Sequence, residues 1–412
     1  MTRRVVVTGM GVVSPIGNTV DEMWKSIEEN KCGIDFITHF NTDEYKVKLA
    51  AEVKNLNTDE YFAARDLKFN DRFTQFARIA AKQAMTDSRL DLEAIDNTRF
   101  GVLIASGIGG IETIESCKEA MSDRGPGRVS PYFIPMSLIN LAAGQVAIDH
   151  KAKGYCSAVV TACAAATNAI GEAFHRVRDG YEDLMLAGGS EASITPLGVA
   201  GFQSMRALHM GDDKNRASIP FDKERSGFVM GEGAGVLLLE EYEHAVKRNA
   251  KIYAEVVGYG ASCDAHHITA PESSGAIAAL AMSKAIEDAG IAKEDIQYVN
   301  AHGTSTPLND STESNALNVA FGEHTPNVLV SSTKSNTGHL LGASGAIEAI
   351  ICVKAVENDL VPCTINSKEK EEACNVNVVL NKNVHKELNY VMSNSLGFGG
   401  HNASIILKKT GK

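Results

Sequence analysis

The feature of this sequence that most limits its fold is a series of segments that occurs twice, in the same order, once in each half. Residues 84–95 match residues 285–296, and each copy reads as a helix with an apolar face, then a turn, a strand and a glycine-rich segment. Residues 5–9 and 254–258 are the candidate first strands of the two copies. Segments repeated in a fixed order are typical of an internally duplicated fold.

A further match concerns residues that carry chemistry. Residues 163–173 match residues 339–349, which predicts that Cys163 and His339 occupy corresponding positions, each after a strand and at the start of a helix. No low-complexity linker separates the halves. We therefore expect a duplicated fold whose two halves pack closely.

The apolar runs predict the class of this fold. Several are continuous rather than alternating, as expected for sheets covered by helices on both faces. We predict an α/β fold with largely buried sheets, divided into a cysteine-containing half, residues 1–250, and a second half, residues 251–412. The predicted strands are 5–7, 102–104, 158–160, 184–186, 236–239, 256–257, 328–330 and 405–407.

Composition excludes several classes of function. The 412 residues are 44% hydrophobic and 22% charged, as in a soluble globular protein. A net charge of −11 argues against general binding to nucleic acid or to an anionic membrane surface. The sequence has no signal-peptide core and no run of about 18 apolar residues. We expect a cytoplasmic protein, or one in an organelle matrix if a transit peptide has been removed.

The cysteines and paired histidines do not form a metal motif. None of the eight cysteines is part of a C-x-x-C pair, so neither a zinc site nor a disulfide framework is indicated, and a reducing compartment is expected. The adjacent His266 and His267 have no companion ligand at useful spacing.

Cys163 is the candidate nucleophile. It ends a strand-like run and opens a helix rich in small residues. A helix N-terminus carries roughly half a positive charge and lowers the pKa of a thiol from its usual value of about 8.5. We therefore predict an activated thiol; the alternative is a buried structural cysteine, the common state of free cysteines.

Two histidines are candidate partners of this thiol. His302 and His339 each lie in a Gly/Ser/Thr-rich turn after an apolar run. A neutral imidazole N–H can stabilise an oxyanion or enolate without quenching it by proton transfer, although a lone histidine in a turn is more commonly a satisfied polar residue. Lys334, in the same turn as His339, is expected to have a fixed hydrogen-bonding role rather than to be a solvated charge.

The glycine-rich segments do not indicate nucleotide binding. In residues 8–14, Ser14 occupies the position of the third fingerprint glycine, and no phosphate-loop motif occurs. Residues 397–400 contain three glycines around Phe398. This segment is expected to place a backbone N–H beside the nucleophile, with Phe398 as a movable lid.

Over essentially its whole length, the chain resembles the β-ketoacyl-acyl-carrier-protein synthases of the thiolase superfamily. The resemblance rests on residues 5–11, 160–166, 300–306, 334–339 and 397–402. It implies two βαβαβαββ halves packed as a five-layered αβαβα sandwich. The Cys-His-His set is similar to that of the elongating type II synthases, whereas initiating synthases use Cys-His-Asn and thiolases use a second cysteine.

The resemblance also implies roles for individual residues. Cys163 would carry the acyl group, His302 and His339 would stabilise the enolate from malonyl-carrier protein, and Lys334 would organise the site. No cofactor would be required. The residues implied to contact substrate are Thr304, Thr306, Phe398, Ile108, Thr269 and Phe133; of these, Ile108 and Thr269 favour medium-to-long acyl chains.

Partners and an ion site follow from the same resemblance. Acyl- and malonyl-loaded acyl carrier protein would be the partner, met by a basic rim that includes Lys68 and Arg206, and the chain would form a homodimer. A structural Na⁺ or K⁺ would be held at Asn300, Glu348, Ser393 and Asn394. The catalytic residues leave two alternatives open: a polyketide ketosynthase, and a non-catalytic subunit that binds carrier protein.

Overall fold

The strands alternate with helices along the chain. The computed structural model describes residues 2–411, apart from the side chain of Ala64. The strands are β1 Val5–Val13, β2 Asp35–Phe36, β3 Leu49–Ala50, β4 Phe100–Ala105, β5 Cys156–Ser157, β6 Leu184–Glu191, β7 Gly233–Glu241, β8 Ala254–Cys263, β9 Ile296–Asn300, β10 Leu329–Ser331, β11 Leu360–Val361, β12 Asn377–Val378, β13 Val384–His385, β14 Tyr390–Gly397 and β15 His401–Lys409.

The helices range from single turns to about five turns. They are α1 Val20–Glu28, α2 Ala64–Leu67, α3 Arg72–Ser88, α4 Ile111–Arg124, α5 Phe133–Ser137, α6 Asn140–Asp149, α7 Ala165–Arg178, α8 Pro196–Ser204, α9 Tyr242–Lys247, α10 Ala276–Ala289, α11 Pro307–Phe321, α12 Lys334–Thr337 and α13 Ser344–Asn358. Within residues 2–411, none of these helices combines the length and the hydrophobicity that a bilayer crossing needs.

One mixed sheet runs through both halves. Within the described residues its order is β12-β10-β9-β14-β15-β8-β1-β7-β6-β4-β5. The halves meet where β1 pairs antiparallel with β8, with Val5 opposite Val256 and Val7 opposite Ala254. On its other edge β1 pairs antiparallel with β7 from Val5 to Val13. The first strand of each half is therefore a central strand of the joined sheet.

The helices form three layers, one between the two halves of the sheet and one on each outer face. Helices α7 and α13 occupy the middle, and their apolar residues share one core with those of β1, β6 and β14. Helices α3 and α6 cover the outer face of the first half, and α10 and α11 cover that of the second. Each half has the order βαβαβαββ along the chain. The duplicated, five-layered α/β fold is thus confirmed.

The predicted duplication is confirmed, but one match was out of register. In both copies a helix leads into a strand, α3 into β4 and α10 into β9. Short 3₁₀ turns precede α7 and α13, and in these turns Ala162 and Leu341 have the same left-handed φ of 49°. By this geometry Cys163 corresponds to Gly342, and His339 lies one turn earlier. The sequence match misplaced it because His339 lies five residues before the start of α13, whereas Cys163 lies two residues before the start of α7.

One predicted strand is also wrong. Residues 158–160 are irregular, and the strand that precedes Cys163 is the two-residue β5, which pairs with β4 at the edge of the sheet. Val159 is buried in the core, but Val160 is 53% exposed, so the apolar side chain of Val160 does not reflect burial within one chain. The division at residues 250 and 251 stays a prediction, since the sheet continues across it.

Candidate active site

Cys163 lies in the wall of a cavity of about 410 Å³. It occupies the centre of the 3₁₀ turn Ala162–Ala164, which leads directly into α7. The left-handed conformation of Ala162 is costly for a residue with a Cβ atom and is typical of functional turns. The small residues at the start of α7 let this helix begin inside the protein, between the sheets.

The predicted lowering of the Cys163 pKa is not found. Burial raises the pKa of the Cys163 thiol to about 12, and the carboxylate of Glu191 adds to the rise. The positive charge of Lys334 and two backbone N–H groups oppose this shift without overcoming it. The residue is therefore a neutral thiol in the free protein and needs a proton acceptor when it attacks.

Two backbone N–H groups face the Cys163 sulfur, its own and that of Phe398. Phe398 lies in the turn between β14 and β15, where Gly399 and Gly400 have positive φ values that glycine adopts readily. Gly397 allows this turn to approach, since a Cβ atom there would lie 2.8 Å from the Thr161 carbonyl oxygen. Paired N–H groups beside a nucleophile form an oxyanion hole.

The two predicted histidines converge on the thiol. His339 Nε2 lies 3.1 Å from Cys163 Sγ, and His339 Nδ1 lies 2.8 Å from Ser344 Oγ. The imidazole rings of His302 and His339 meet edge to face, with centroids 5.2 Å apart. Ligand atoms of the cysteine and both histidines lie within 4.8 Å of one another.

Burial keeps both imidazoles neutral. It lowers the pKa of His302 and of His339 well below the ordinary value, and the positive charge of Lys334 strengthens both shifts. Among the described residues His302 Nδ1 is enclosed and has no hydrogen-bond partner, which leaves Nε2 to act on a substrate. Glu313 accepts hydrogen bonds from the backbone N–H groups of His302 and Gly303, at 2.8 and 2.7 Å.

Lys334 is buried and acts on the site at a distance. Its ammonium group donates to the carboxylate of Glu348, and burial raises the pKa of that carboxyl group. The ammonium charge favours the ionised form of Cys163 and disfavours protonation of both histidines. Its position is that of an electrostatic and structural residue rather than of a group that touches the reacting atoms.

The structure brings most of the predicted substrate residues to the cavity. Its wall includes Thr269, Thr304, Thr306 and Phe398. Ile108 lies beside Cys163 in a neighbouring apolar cluster. Phe133 begins α5 and is not part of the cavity wall.

The two residues predicted to meet a carrier protein differ in position. Arg206 is exposed and forms part of the cavity wall, with a φ of 56°. Lys68 is also exposed, directly after α2, but it does not line the cavity.

The proposed ion site is buried and short of hydrogen bonds. Within the described residues, three oxygen atoms there have no partner: Asn300 Oδ1, Glu348 Oε2 and Ser393 Oγ. Oxygen donors of this kind suit a hard cation. The side chain of Asn394 fits less well, because its Oδ1 accepts from Ser404 Oγ and its unpartnered atom is the donor Nδ2.

Three residues of the site were missed from the sequence. Ser344 orients His339, Glu313 holds the backbone of His302, and Glu191 accepts from the N–H groups of Gly107 and Gly342 at 2.7 and 3.0 Å. Glu191 could have been identified from the sequence, since a carboxylate at the end of an apolar strand needs buried hydrogen-bond donors. Ser344 and Glu313 could not have been identified in this way, because their hydrogen-bond partners depend on how the turns fold.

Comparisons with known proteins agree with this geometry. The N-terminal domain model of the β-ketoacyl synthase family matches residues 2–245, and its C-terminal domain model matches residues 253–368. A 3-oxoacyl-[acyl-carrier-protein] synthase 2 of Staphylococcus aureus is 49% identical over 99% of this chain and 98% of its own length. The corresponding Synechocystis protein is 47% identical over 99% of this chain and 98% of its own length.

Solved structures give the same fold. The complex of a type II polyketide synthase acyl-carrier protein with its ketosynthase contains a chain that is 34% identical, with a TM-score of 0.93 and complete coverage of both chains. A β-ketoacyl synthase from Burkholderia phymatum is 33% identical, with a TM-score of 0.91 over 99% of this chain and all of that one. Together with the domain matches that span both halves, these likenesses show that the chain belongs to the β-ketoacyl synthase family.

Proposed function

We propose that this protein is a 3-oxoacyl-acyl-carrier-protein synthase of fatty-acid elongation. It would join an acyl group held on Cys163 to malonyl-carrier protein, with loss of CO₂. The observation that carries the proposal is the convergence of one thiol, two neutral imidazoles and two backbone N–H groups on one cavity. The names of relatives at 47–49% identity support it.

In the first half-reaction Cys163 takes the acyl group. The thioester carbonyl oxygen of acyl-carrier protein lies between the N–H groups of Cys163 and Phe398. Because the thiol is neutral in the free protein, its proton passes to His339 Nε2, 3.1 Å away, as the sulfur attacks. The proton then moves to the departing pantetheine sulfur, which leaves an acyl thioester on Cys163 and a free carrier-protein thiol.

In the second half-reaction the histidines act on the malonyl thioester. Breaking its C–CO₂ bond leaves the electron pair as an enolate, whose oxygen accepts hydrogen bonds from His302 and His339. The Ser344 hydroxyl can donate to or accept from His339 Nδ1, so it supports either tautomer. The enolate carbon attacks the Cys163 thioester, and collapse of the tetrahedral oxyanion expels Cys163 as a thiolate and releases the 3-oxoacyl product. The thiolate then takes up the one proton that the overall reaction consumes.

Separate assays of the two half-reactions test this assignment. Cys163→Ala should abolish acyl transfer to the protein, read by intact mass, whereas His302→Ala should spare acylation and reduce condensation by at least 10²-fold. Cys117→Ala, on α4, is the matched control. Condensation by Cys163→Ala protein at the wild-type rate would show that the assignment is wrong.

A polyketide ketosynthase is the second candidate, because the solved type II polyketide synthase complex shares the fold at a TM-score of 0.93. The ishigamide ketosynthase/chain length factor structure shares it at 0.94. Their identity of 34% is well below the 49% of the fatty-acid enzyme. Turnover of malonyl-carrier protein with acyl-carrier proteins of increasing length, read by product mass, separates the two. A single two-carbon extension supports fatty-acid elongation, and repeated unreduced extension supports the alternative.

A non-catalytic subunit that binds carrier protein is the remaining alternative. Reaction of Cys163 with an acyl-pocket inhibitor would argue against this alternative. A cysteine-directed inhibitor of the acyl pocket should label Cys163, and acyl-carrier protein should block the labelling. Failure to label would favour the non-catalytic role.

Acyl carrier protein is the proposed partner and the cytoplasm the proposed location. The exposed Arg206 at the cavity and the exposed Lys68 beside α2 offer positive charge to an acidic carrier. Such contacts mainly speed encounter, so the association rate should fall as salt rises.

A homodimer is proposed from one apolar face. β5 is an edge strand that contacts α6, and exposed apolar side chains lie on or next to α5, α6 and β5. They include Ile134, Leu138, Ile148, Tyr155 and Val160. A patch of this kind beside an open strand edge is typical of a subunit interface.

A structural Na⁺ or K⁺ is proposed between β9, β14 and α13. Asn300 Oδ1, Glu348 Oε2 and Ser393 Oγ would hold it, because each is buried without a partner among the described residues. The cation would balance the charge of Glu348, leaving Lys334 to act on the reacting groups.

A further inference from the structure

Three irregular segments lie side by side in the cavity wall. The backbone N–H of His209 donates to Phe228 O at 2.9 Å, and that of Phe228 donates to Ala207 O at 3.0 Å. Gly227 in turn donates to Ser305 O at 3.1 Å, between the threonines at 304 and 306. The side chain at position 226 is therefore held in a fixed place relative to the threonine wall.

Ser226 on the middle segment is paired with His209 on its neighbour. Ser226 Oγ lies 2.8 Å from His209 Nδ1. Ser226 is part of the cavity wall, whereas the imidazole stands behind it. The mechanism proposed above gives neither residue a role.

The imidazole of His209 is enclosed on its far side. Its Nε2 has no partner among the described residues, and a Cβ atom at Gly211 would lie 2.5 Å from it. Burial lowers the pKa of His209, although the nearby Asp212 and Asp213 carboxylates oppose the shift. The ring is therefore neutral near pH 7, and within residues 2–411 it forms one hydrogen bond, to Ser226.

The buried, unpartnered Nε2 of His209 indicates which group donates in the His209–Ser226 hydrogen bond. A buried N–H without an acceptor is rarer in proteins than a buried acceptor without a donor. The proton is therefore assigned to Nδ1, which donates to Ser226 Oγ. The hydroxyl hydrogen of Ser226 is then free to point into the cavity as a donor.

We propose that the His209–Ser226 pair is a binding site for the outer amide carbonyl of a pantetheine arm. Ser226 contacts the substrate, and His209 is a positioning residue that sets the direction of its hydroxyl. The location fits, since the pairing of Leu208 with Phe228 brings Ser226 near Arg206. Both are exposed parts of the cavity wall, whereas Cys163 in the same wall is less exposed. The inference rests on the proposed function for its ligand and adds to it a subsite for the arm.

A measurement of binding affinity, rather than of turnover, tests the inference. In a Cys163→Ala background, which cannot be acylated, calorimetry would compare an acyl-pantetheine thioester with an acyl-N-acetylcysteamine thioester, which lacks the outer amide. Ser226→Ala and His209→Ala should each weaken binding of the pantetheine thioester by roughly 3- to 10-fold, the effect of one hydrogen bond. Neither should change binding of the shorter thioester.

Two further variants separate positioning from general damage. His209→Asn keeps a donor at the place of Nδ1 and should restore most of the affinity. His385→Ala, on the exposed β13, is the matched control and should bind as the parent does. Equal loss for both thioesters, unchanged affinity in Ser226→Ala, or no recovery in His209→Asn would overturn the inference. Condensation by the wild-type protein is measured separately, so a failure of the proposed function is distinguishable from a failure of this subsite.

Discussion

At the scale of single residues, Lys334 controls the charge state of the site without touching the reacting atoms. Its ammonium group helps keep His302 and His339 neutral. An imidazole is protonated as the pH falls through its pKa, so these low pKa values place the loss of activity at acidic pH.

Removing the buried Lys334–Glu348 ion pair should change the pH at which activity is lost. Lys334→Met combined with Glu348→Gln deletes the pair without leaving an unpaired buried carboxylate. The pKa values of both histidines then rise, and the acid limb of malonyl decarboxylation should shift to higher pH. Lys354→Met with Glu357→Gln removes a second ion pair on α13 and should leave the profile unchanged. An unmoved acid limb in the buried-pair variant would contradict this role.

The sequence predicted which residues meet and that the imidazoles act in their neutral form, but not the ionisation of the thiol. Cys163, His302 and His339 were identified because each residue type follows an apolar run at a turn. The thiol pKa was wrong because the helix-terminus argument omits burial, which outweighs the N–H groups. Hydrogen-bond partners such as Ser344 depend on the tertiary path of the chain and left no periodic signal.

At the scale of elements, the turn between β14 and β15 is fitted closely against the 3₁₀ turn of Cys163. Gly397→Ala would place a Cβ atom 2.8 Å from Thr161 O and 3.2 Å from Cys163 N. The turn must move, which takes the Phe398 N–H away from the oxyanion position. Acylation should slow by roughly 10²-fold, measured by intact mass against time.

A matched glycine shows whether the effect is local. Gly127→Ala meets no atom within 4 Å and should acylate at the wild-type rate. If Gly397→Ala also acylated normally, Phe398 would not supply the oxyanion donor.

The elements themselves were only partly predictable. Continuous apolar runs identified the central strands correctly, because those strands are covered by helices on both faces. The run at 158–160 is apolar for another reason, since Val160 is exposed on the folded chain. Hydrophobicity in a sequence does not distinguish a strand in a core from a surface that another subunit covers.

At the scale of the whole molecule, the apolar face around β5 should decide the oligomeric state. Val160→Lys places a charge in the proposed interface and should shift the protein from dimer to monomer at micromolar concentration, measured by analytical ultracentrifugation. Val319→Lys changes an equally exposed valine on α11 and should remain dimeric. A wild-type protein that sediments as a monomer would refute the proposed interface.

The overall architecture was easier to predict from the sequence than the register in which residues of one half correspond to residues of the other. Three repeated segments predicted two similar halves, because a duplicated fold keeps the order of its elements. They could not show that the halves share one sheet, since pairing of β1 with β8 depends on backbone groups that any sequence provides.

The central position of β1 affects how the chain is made. Its nine residues are all buried, yet the strands on either side of it, β7 and β8, come from the middle of the chain. During translation the ribosome therefore releases an apolar, unpaired strand that has no partner until well over half of the polypeptide has emerged. Such a strand is a template for wrong pairing, so we expect a nascent chain of this protein to be prone to mispairing until β7 and β8 have been synthesised.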